Sequence, residues 1–257
     1  MSKPVAEIGA ILNVLLNQSP EQTVKKPMCQ LAMTESRILH IRQSIAEAQR
    51  IEAENHQLRE YLETKLPSLH RIISLPRGDG LHTLEEFVTR YIQHVPDFLE
   101  ALTELTKSAG VYEYAKTFLD IAEDYFFAPP EIGRGREGLL ALIDEAYLAH
   151  RLIEEVNDRV MMASGIPLAP MDMTLSNIII HDLLGDEFAN QLDLAVHYSI
   201  ESLFESDNFF RKADFKSYLQ HHHEDAWQKA MARWPCLAGD SAIELQLDNR
   251  PKSSAFH

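Results

Sequence analysis

From Leu139 to Val160 the positions Leu139, Ile143, Ala146, His150, Ile153, Asn157 and Val160 fall three or four residues apart, and all but His150 and Asn157 are apolar. That period gives a helix one buried stripe, whereas a strand changes face every second residue. The same spacing recurs through most of the 257-residue chain, and clean two-residue alternation is nearly absent. The sequence therefore predicts an all-α protein, with a bundle of about five or six helices over residues 80–235 and a helical N-terminal arm before it. No internal repeat of roughly 20 to 50 residues is visible, which argues against a solenoid.

Punctuation along the chain divides it further. Residues 1–33 read as a short amphipathic helix (5–17) followed by the loop "NQSPEQTVKKP", and 236–257 as a polar, flexible tail. Within the arm, 34–75, Ile41, Ala48, Asn55 and Leu62 are seven apart, with Ile51 and Leu58 three beyond their predecessors. This is a short coiled-coil-like seam, and Asn55 is the kind of polar insertion that sets the register of a parallel pair. Residues 34–66 thus support two expectations, a homodimer through this seam or an amphipathic helix folded onto its own bundle. Thr83 and Glu86 form a capping-box signature, and Pro96 is expected to open the following helix. Further helices are expected over 112–127, 138–162, from about 174 with Gly185 as a kink or restart, and over 210–234.

The formal charge of -15 removes long-range attraction to phosphate backbones, so nucleic-acid binding is not expected. No apolar run approaches the ~20 residues of a membrane-spanning helix, so no membrane association is expected either. The N-terminal "EIGAILNVLLN" is short, carries Glu7 and Asn13 and lacks a small-residue cleavage site, so it makes a poor signal peptide. Cys29 and Cys236 have no metal-like spacing and point to a reducing, cytoplasmic setting.

The stretch "HDLLGDEFANQLDLAVHYSIE", residues 181–201, places Asp182, Asp186, Asn190, Asp193, His197 and Glu201 on one helical arc. Leu184, Phe188, Leu192, Ala195, Val196 and Leu203 fill the opposite one. A half-buried helix explains the separation of faces but not the sign of the charge. No Lys or Arg occurs between Arg159 and Arg211, while Asp172, Asp182, Asp186, Glu187, Asp193, Glu201, Glu205 and Asp207 all do. Like charges one turn apart repel, so cations are expected from elsewhere: a metal ion, arginines of a neighbouring helix, or a basic partner protein on the 182–207 face.

For a metal, His150 and Glu154 would join Asp193, His197 and Glu201 if their two helices pack antiparallel. Two imidazoles and two or three carboxylates suit iron, manganese or zinc, and with an open coordination position would fit an oxidase or hydroxylase. The paired Glu-x-x-His motifs of ferritin-like di-metal proteins are missing. In "HHHEDAW", His221–Trp227, consecutive imidazoles point about 100° apart, so a regular helix cannot bring all three to one ion. His222 is expected to face inward, and His223 to pack with Trp227. Arg134 and Arg136 in "GRGREG" mark a turn and helix entry that would suit a phosphate. The aromatic helix with Tyr112, Phe118, Tyr125 and Phe127 reads as core before it reads as a ligand pocket. No strand-turn-helix nucleophile elbow is present.

Two functional readings follow. One is a non-catalytic interaction or regulatory protein, dimeric through 34–66, that presents an acidic helix face to a cationic partner. The alternative is a metal-dependent helical enzyme.

Overall fold

The computed structural model describes residues 27–108, 110–127, 136–165, 167–205 and 243–245. The helices expected at 5–17 and 210–234, the "HHHEDAW" cluster with His222 and His223, Arg134 and Cys236 lie outside the described residues. Eight helices are present among those described: α1 (Pro27–Asn55), α2 (Gln57–Lys65), α3 (Gly80–Ser108), α4 (Tyr112–Phe127), α5 (Gly138–Ala141), α6 (Ile143–Ser164), α7 (Thr174–Leu184) and α8 (Asp186–Glu205). A two-residue antiparallel pairing of Ile73–Ser74 with Glu244–Leu245 is the only extended structure among the described residues. The expected all-α class is what the chain adopts.

The core is built around α6. Every residue from Ile143 to His150 is buried, so the first two turns of this helix are enclosed on all sides and not only along one stripe. It packs against α3, α4, α7 and α8.

The arm belongs to the same core. Ile38, Ile41, Ile45 and Ala48 of α1 and Leu58 and Leu62 of α2 are buried within one chain, where α1 lies against α3, α4 and α5. The coiled-coil reading assumed one continuous helix, but the chain breaks at His56, which sits in the left-handed region at φ 54°. Glu52 stabilises the break: its buried carboxylate accepts the N–H groups of Leu58 at 2.9 Å and Arg59 at 3.3 Å. These are orphan donors at the start of α2, so the side chain serves as a cap from outside the helix.

Three expected boundaries moved. α3 starts at Gly80, ahead of the expected cap, and the Thr83 hydroxyl donates back to the Asp79 carbonyl at 2.9 Å. Pro96 opens no new helix; it lies inside α3 and is buried there. A proline without an N–H leaves the Ile92 carbonyl without its helical donor, and the long buried face of α3 offsets that loss. The expected 138–162 helix is split at Leu142 (φ -91°, ψ -2°) into the single turn α5 and the long α6.

Gly138 and Gly185 make two close turns. Gly185 adopts φ 88° and separates α7 from α8, so it is a restart and not a kink. Gly138 has φ 60°, and a Cβ there would lie 3.1 Å from the Ala48 carbonyl oxygen and 3.2 Å from the Glu52 nitrogen. α5 thus docks on α1 only because position 138 has no side chain. Gly138→Ala is expected to destabilise the fold by about 1–3 kcal/mol, through strain at positive φ and the clash with α1. Urea unfolding of the two proteins checks this, and an unchanged midpoint would contradict the tight approach.

Candidate functional site

Two of the carboxylates in the acidic segment, Asp193 and Glu201, find their cations on α6. Arg151 Nε donates to Asp193 Oδ1 at 2.9 Å, and the same guanidinium bonds Glu154 through Nη1. Arg159 Nη2 donates to Glu201 Oε1 at 2.5 Å and its Nε to Glu155 Oε1 at 3.2 Å. Burial alone would lower the pKa of Arg151, but the bonds and charges of Asp193 and Glu154 outweigh it and raise the group above its ordinary value. The hydrogen bond from Arg159 holds the Glu201 carboxyl below its ordinary range.

Both interhelical pairs span 42 residues, Arg151 to Asp193 and Arg159 to Glu201. Moving eight residues along α6 therefore moves eight along α8 in the same direction, and the two helices run parallel. The antiparallel packing on which the metal-ligand grouping depended is therefore not the one adopted. The reason is α7, a separate helix that reverses the chain once before Gly185 reverses it again.

Asp193 also accepts from the Tyr147 hydroxyl at 3.0 Å. Burial and then the charge of Asp193 raise the pKa of Tyr147 well above that of a free phenol, so it remains a donor. On the other side, the buried Tyr91 hydroxyl donates to Asn177 Oδ1 at 2.7 Å, and Asn177 Nδ2 donates to Glu154 Oε2 at 2.7 Å. One connected network thus runs from α3 through α7 and α6 to α8.

This network forms the floor of a cleft of about 540 Å³ bounded by α6, α7, the start of α8 and residues 70–73. Its walls carry four carboxylates, Glu154, Asp182, Asp186 and Asp193, against the one guanidinium of Arg151. Two imidazoles also line it. The backbone N–H of His70 donates to Asp182 Oδ2 at 2.9 Å, and His181 lies 3.7 Å from Asp186 and 3.9 Å from Asp193. Ile72, Ile73 and Ile178 supply an apolar side. A space of this size with a few fixed polar groups is typical of a small-ligand or side-chain site.

Of the five residues considered as metal ligands, Glu154 and Asp193 meet, but through Arg151. His150 faces elsewhere: it is fully buried, with Nδ1 2.8 Å from the Ala146 carbonyl and Nε2 3.3 Å from His94 Nδ1. His197 is exposed beside Tyr198, and Glu201 pairs with Arg159. Among the described residues no group of three or more His, Cys, Asp or Glu is placed to hold a metal ion. Arg136 is engaged with both carboxylate oxygens of Asp144, at 3.0 and 3.1 Å. The aromatic helix is largely core: Phe118 and Tyr125 are buried, and the exposed Phe127 stacks on His40.

Tyr147, Arg151, Asn177 and His70 were not picked out from the sequence as site residues. Arg151 and Tyr147 carried a usable signal, since they stand three before and seven before Glu154 on the same helix. Asn177 and His70 had none, because their roles depend on partners far away in the chain.

Where α6 begins, two adjacent carboxyls are buried. Burial, against the pull of Arg136, pushes Asp144 up to about 6. Burial and the neighbouring Asp144 push Glu145 up to about 8, and its Oε2 has no hydrogen-bond partner.

No protein-family model, curated protein or solved structure matches this chain. No helix among the described residues is long and apolar enough to cross a membrane. The functional reading therefore rests on the geometry of the cleft.

Arg151→Met is expected to cost about 1–3 kcal/mol, because Glu154 and Asp193 would face each other with their shared cation gone. The added variant Asp193→Asn should recover part of that loss in a double-mutant cycle; strictly additive effects would mean the pair is not coupled. Glu145→Gln is expected to stabilise the fold increasingly as pH rises. Folded Glu145 keeps a proton that the unfolded chain releases above about pH 4.5, so its destabilising contribution grows from there to about pH 8 and then levels off. The gain at pH 8 should be on the order of 3–5 kcal/mol and vanish near pH 4.5. Denaturation curves across this range check it, and a pH-independent gain would contradict the assignment.

Proposed function

We propose that this chain is a non-catalytic binding protein whose acidic cleft accepts a cationic group presented by a basic partner protein. The observation that carries the reading is the imbalance of the cleft, four carboxylates around a single built-in guanidinium. Arg151 satisfies the inner carboxylates Glu154 and Asp193, while Asp182 and Asp186 stand nearer the mouth, and the Asp186 side chain is 89% exposed. Glu187 is also exposed and extends the negative surface along α8. A fixed negative field steers a basic partner and sets its register more than it adds raw affinity.

The inner network supports binding over chemistry. Both inner carboxylates accept from fixed donors, Asp193 Oδ1 from Arg151 and Tyr147 and Glu154 Oε2 from Arg151 and Asn177, so they form a preorganised electrostatic floor. Within the 34–66 seam Ile41, Ala48, Leu58 and Leu62 are buried against the chain's own helices, which supports the reading of this segment as a helix folded onto its own bundle.

A fluorescein-labelled octalysine peptide is the direct probe. Binding should be salt-dependent and weaken by roughly ten-fold in the Asp182→Asn, Asp186→Asn double variant. Equal affinity for the double variant, or none for the wild type at low salt, would end the proposal. Stoichiometric iron, manganese or zinc in the purified protein, lost in His150→Ala and in His197→Ala, would replace it with the metal-enzyme reading.

A further inference from the structure

The function above leaves unused a pair of histidines at the centre of the core. His150 on α6 has no exposed surface and His94 on α3 very little. Their rings are parallel to within 6°, with centroids 5.6 Å apart. The backbone carbonyl of Ala146, 2.8 Å from His150 Nδ1, can only accept, so the His150 proton is on Nδ1. Neutral His150 then offers a bare Nε2, and the proton in the 3.3 Å contact belongs to His94 Nδ1. One tautomer of His150 and one orientation of the shared bond are thereby fixed.

Among the described residues no carboxylate acts on His150. From α3 it meets the rings of Tyr91 at 4.1 Å and Phe98 at 4.8 Å, and from its own helix the Ala146 carbonyl. His94 is the one titratable side chain acting on it among the described residues. The charges of α6 and α8, Arg151, Glu154 and Asp193, act with Tyr147 on Tyr91. Burial first, then His94, push His150 well below the ordinary histidine value. Protonating His150 would also set two N–H groups face to face unless His94 surrendered its own.

Tyr91 connects this pair to the cleft. Its ring lies on His150, and its hydroxyl donates to Asn177, whose amide in turn donates to Glu154. We propose that His150 is an acid-sensitive latch: while neutral it accepts the His94 Nδ1–H that ties α3 to α6, and on mild acidification it releases Tyr91 and with it the α7 wall of the cleft. That release would also discharge a bound partner rests on the binding reading above; the coupling of latch to cleft does not.

The test uses the full chain with no ligand. Hydrogen exchange is followed from pH 7.5 to 5, corrected for intrinsic rates, alongside ¹⁵N-histidine NMR. His150 should show the Nδ1–H tautomer at pH 7.5. Protection of residues 174–184 should fall by about ten-fold or more at pH 5, the equivalent of a single unit of proton linkage. Tyr91→Phe keeps the pair and removes the hydroxyl link, so acid should still loosen α3 against α6 while 174–184 no longer follows. His150→Leu should abolish the acid response of both. If that variant does not fold, Tyr91→Phe and the NMR tautomer decide alone. Constant wild-type protection across the range, an Nε2–H tautomer at His150, or a Tyr91→Phe protein whose 174–184 segment responds like wild type would each overturn the latch. Failure of octalysine to bind would leave it standing and remove only the partner.

Discussion

Enclosing α6 is the constraint from which the rest of this structure follows. A helix buried over all of Ile143 to His150 needs apolar neighbours on every side, and α3, α4, α7 and α8 provide them. Most of its polar groups find partners inside the protein, since an unpaired buried polar group costs more than a hydrogen bond returns, and the exception, Glu145 Oε2, belongs to a carboxyl that burial pushes up to about 8. His150 takes the Ala146 carbonyl and His94, and Tyr147 and Arg151 take Asp193. The cleft network and the histidine pair thus both follow from enclosing the first turns of one amphipathic helix.

The parallel course of α6 and α8 solves the charge problem of the acidic segment. Asp193 and Glu201 are eight residues apart, as are Arg151 and Arg159, so one register neutralises both. These partly exposed pairs owe their value to removing like-charge repulsion as much as to attraction. Asp182 and Asp186 flank Gly185, short of this ladder, and line the cleft without an arginine partner among the described residues.

Much of the fold was legible beforehand. Apolar spacing located α4, most of α6 and the helical nature of α1 and α2, and Gly185 marked the boundary between α7 and α8. The charge bias of 160–210 announced that cations had to come from elsewhere, and arginines of a neighbouring helix were one of three candidates. Less was legible where a local rule met a stronger tertiary term. Pro96 and Thr83 carry helix-start chemistry, yet α3 begins ahead of Thr83 at Gly80 and its buried face runs through Pro96. The break at His56 was hidden because Glu52 caps α2 from six residues away, a pairing that no standard motif encodes.

Helix identity and core faces are short-range properties, set within a few residues by periodicity, turn formers and side-chain volume, and the linear chain carries them openly. Which helices lie side by side, and in which direction, is decided by how several apolar faces pack at once. Arg151 meets Asp193 across 42 residues, His94 meets His150 across 56, and Tyr91 meets Asn177 across 86. Loop lengths left α6 and α8 free to run either way, and only the intervening helix α7, packed in place, made them parallel. That packing put Asp186 and Asp193 of the acidic stripe on the wall of a cleft and Glu201 against Arg159.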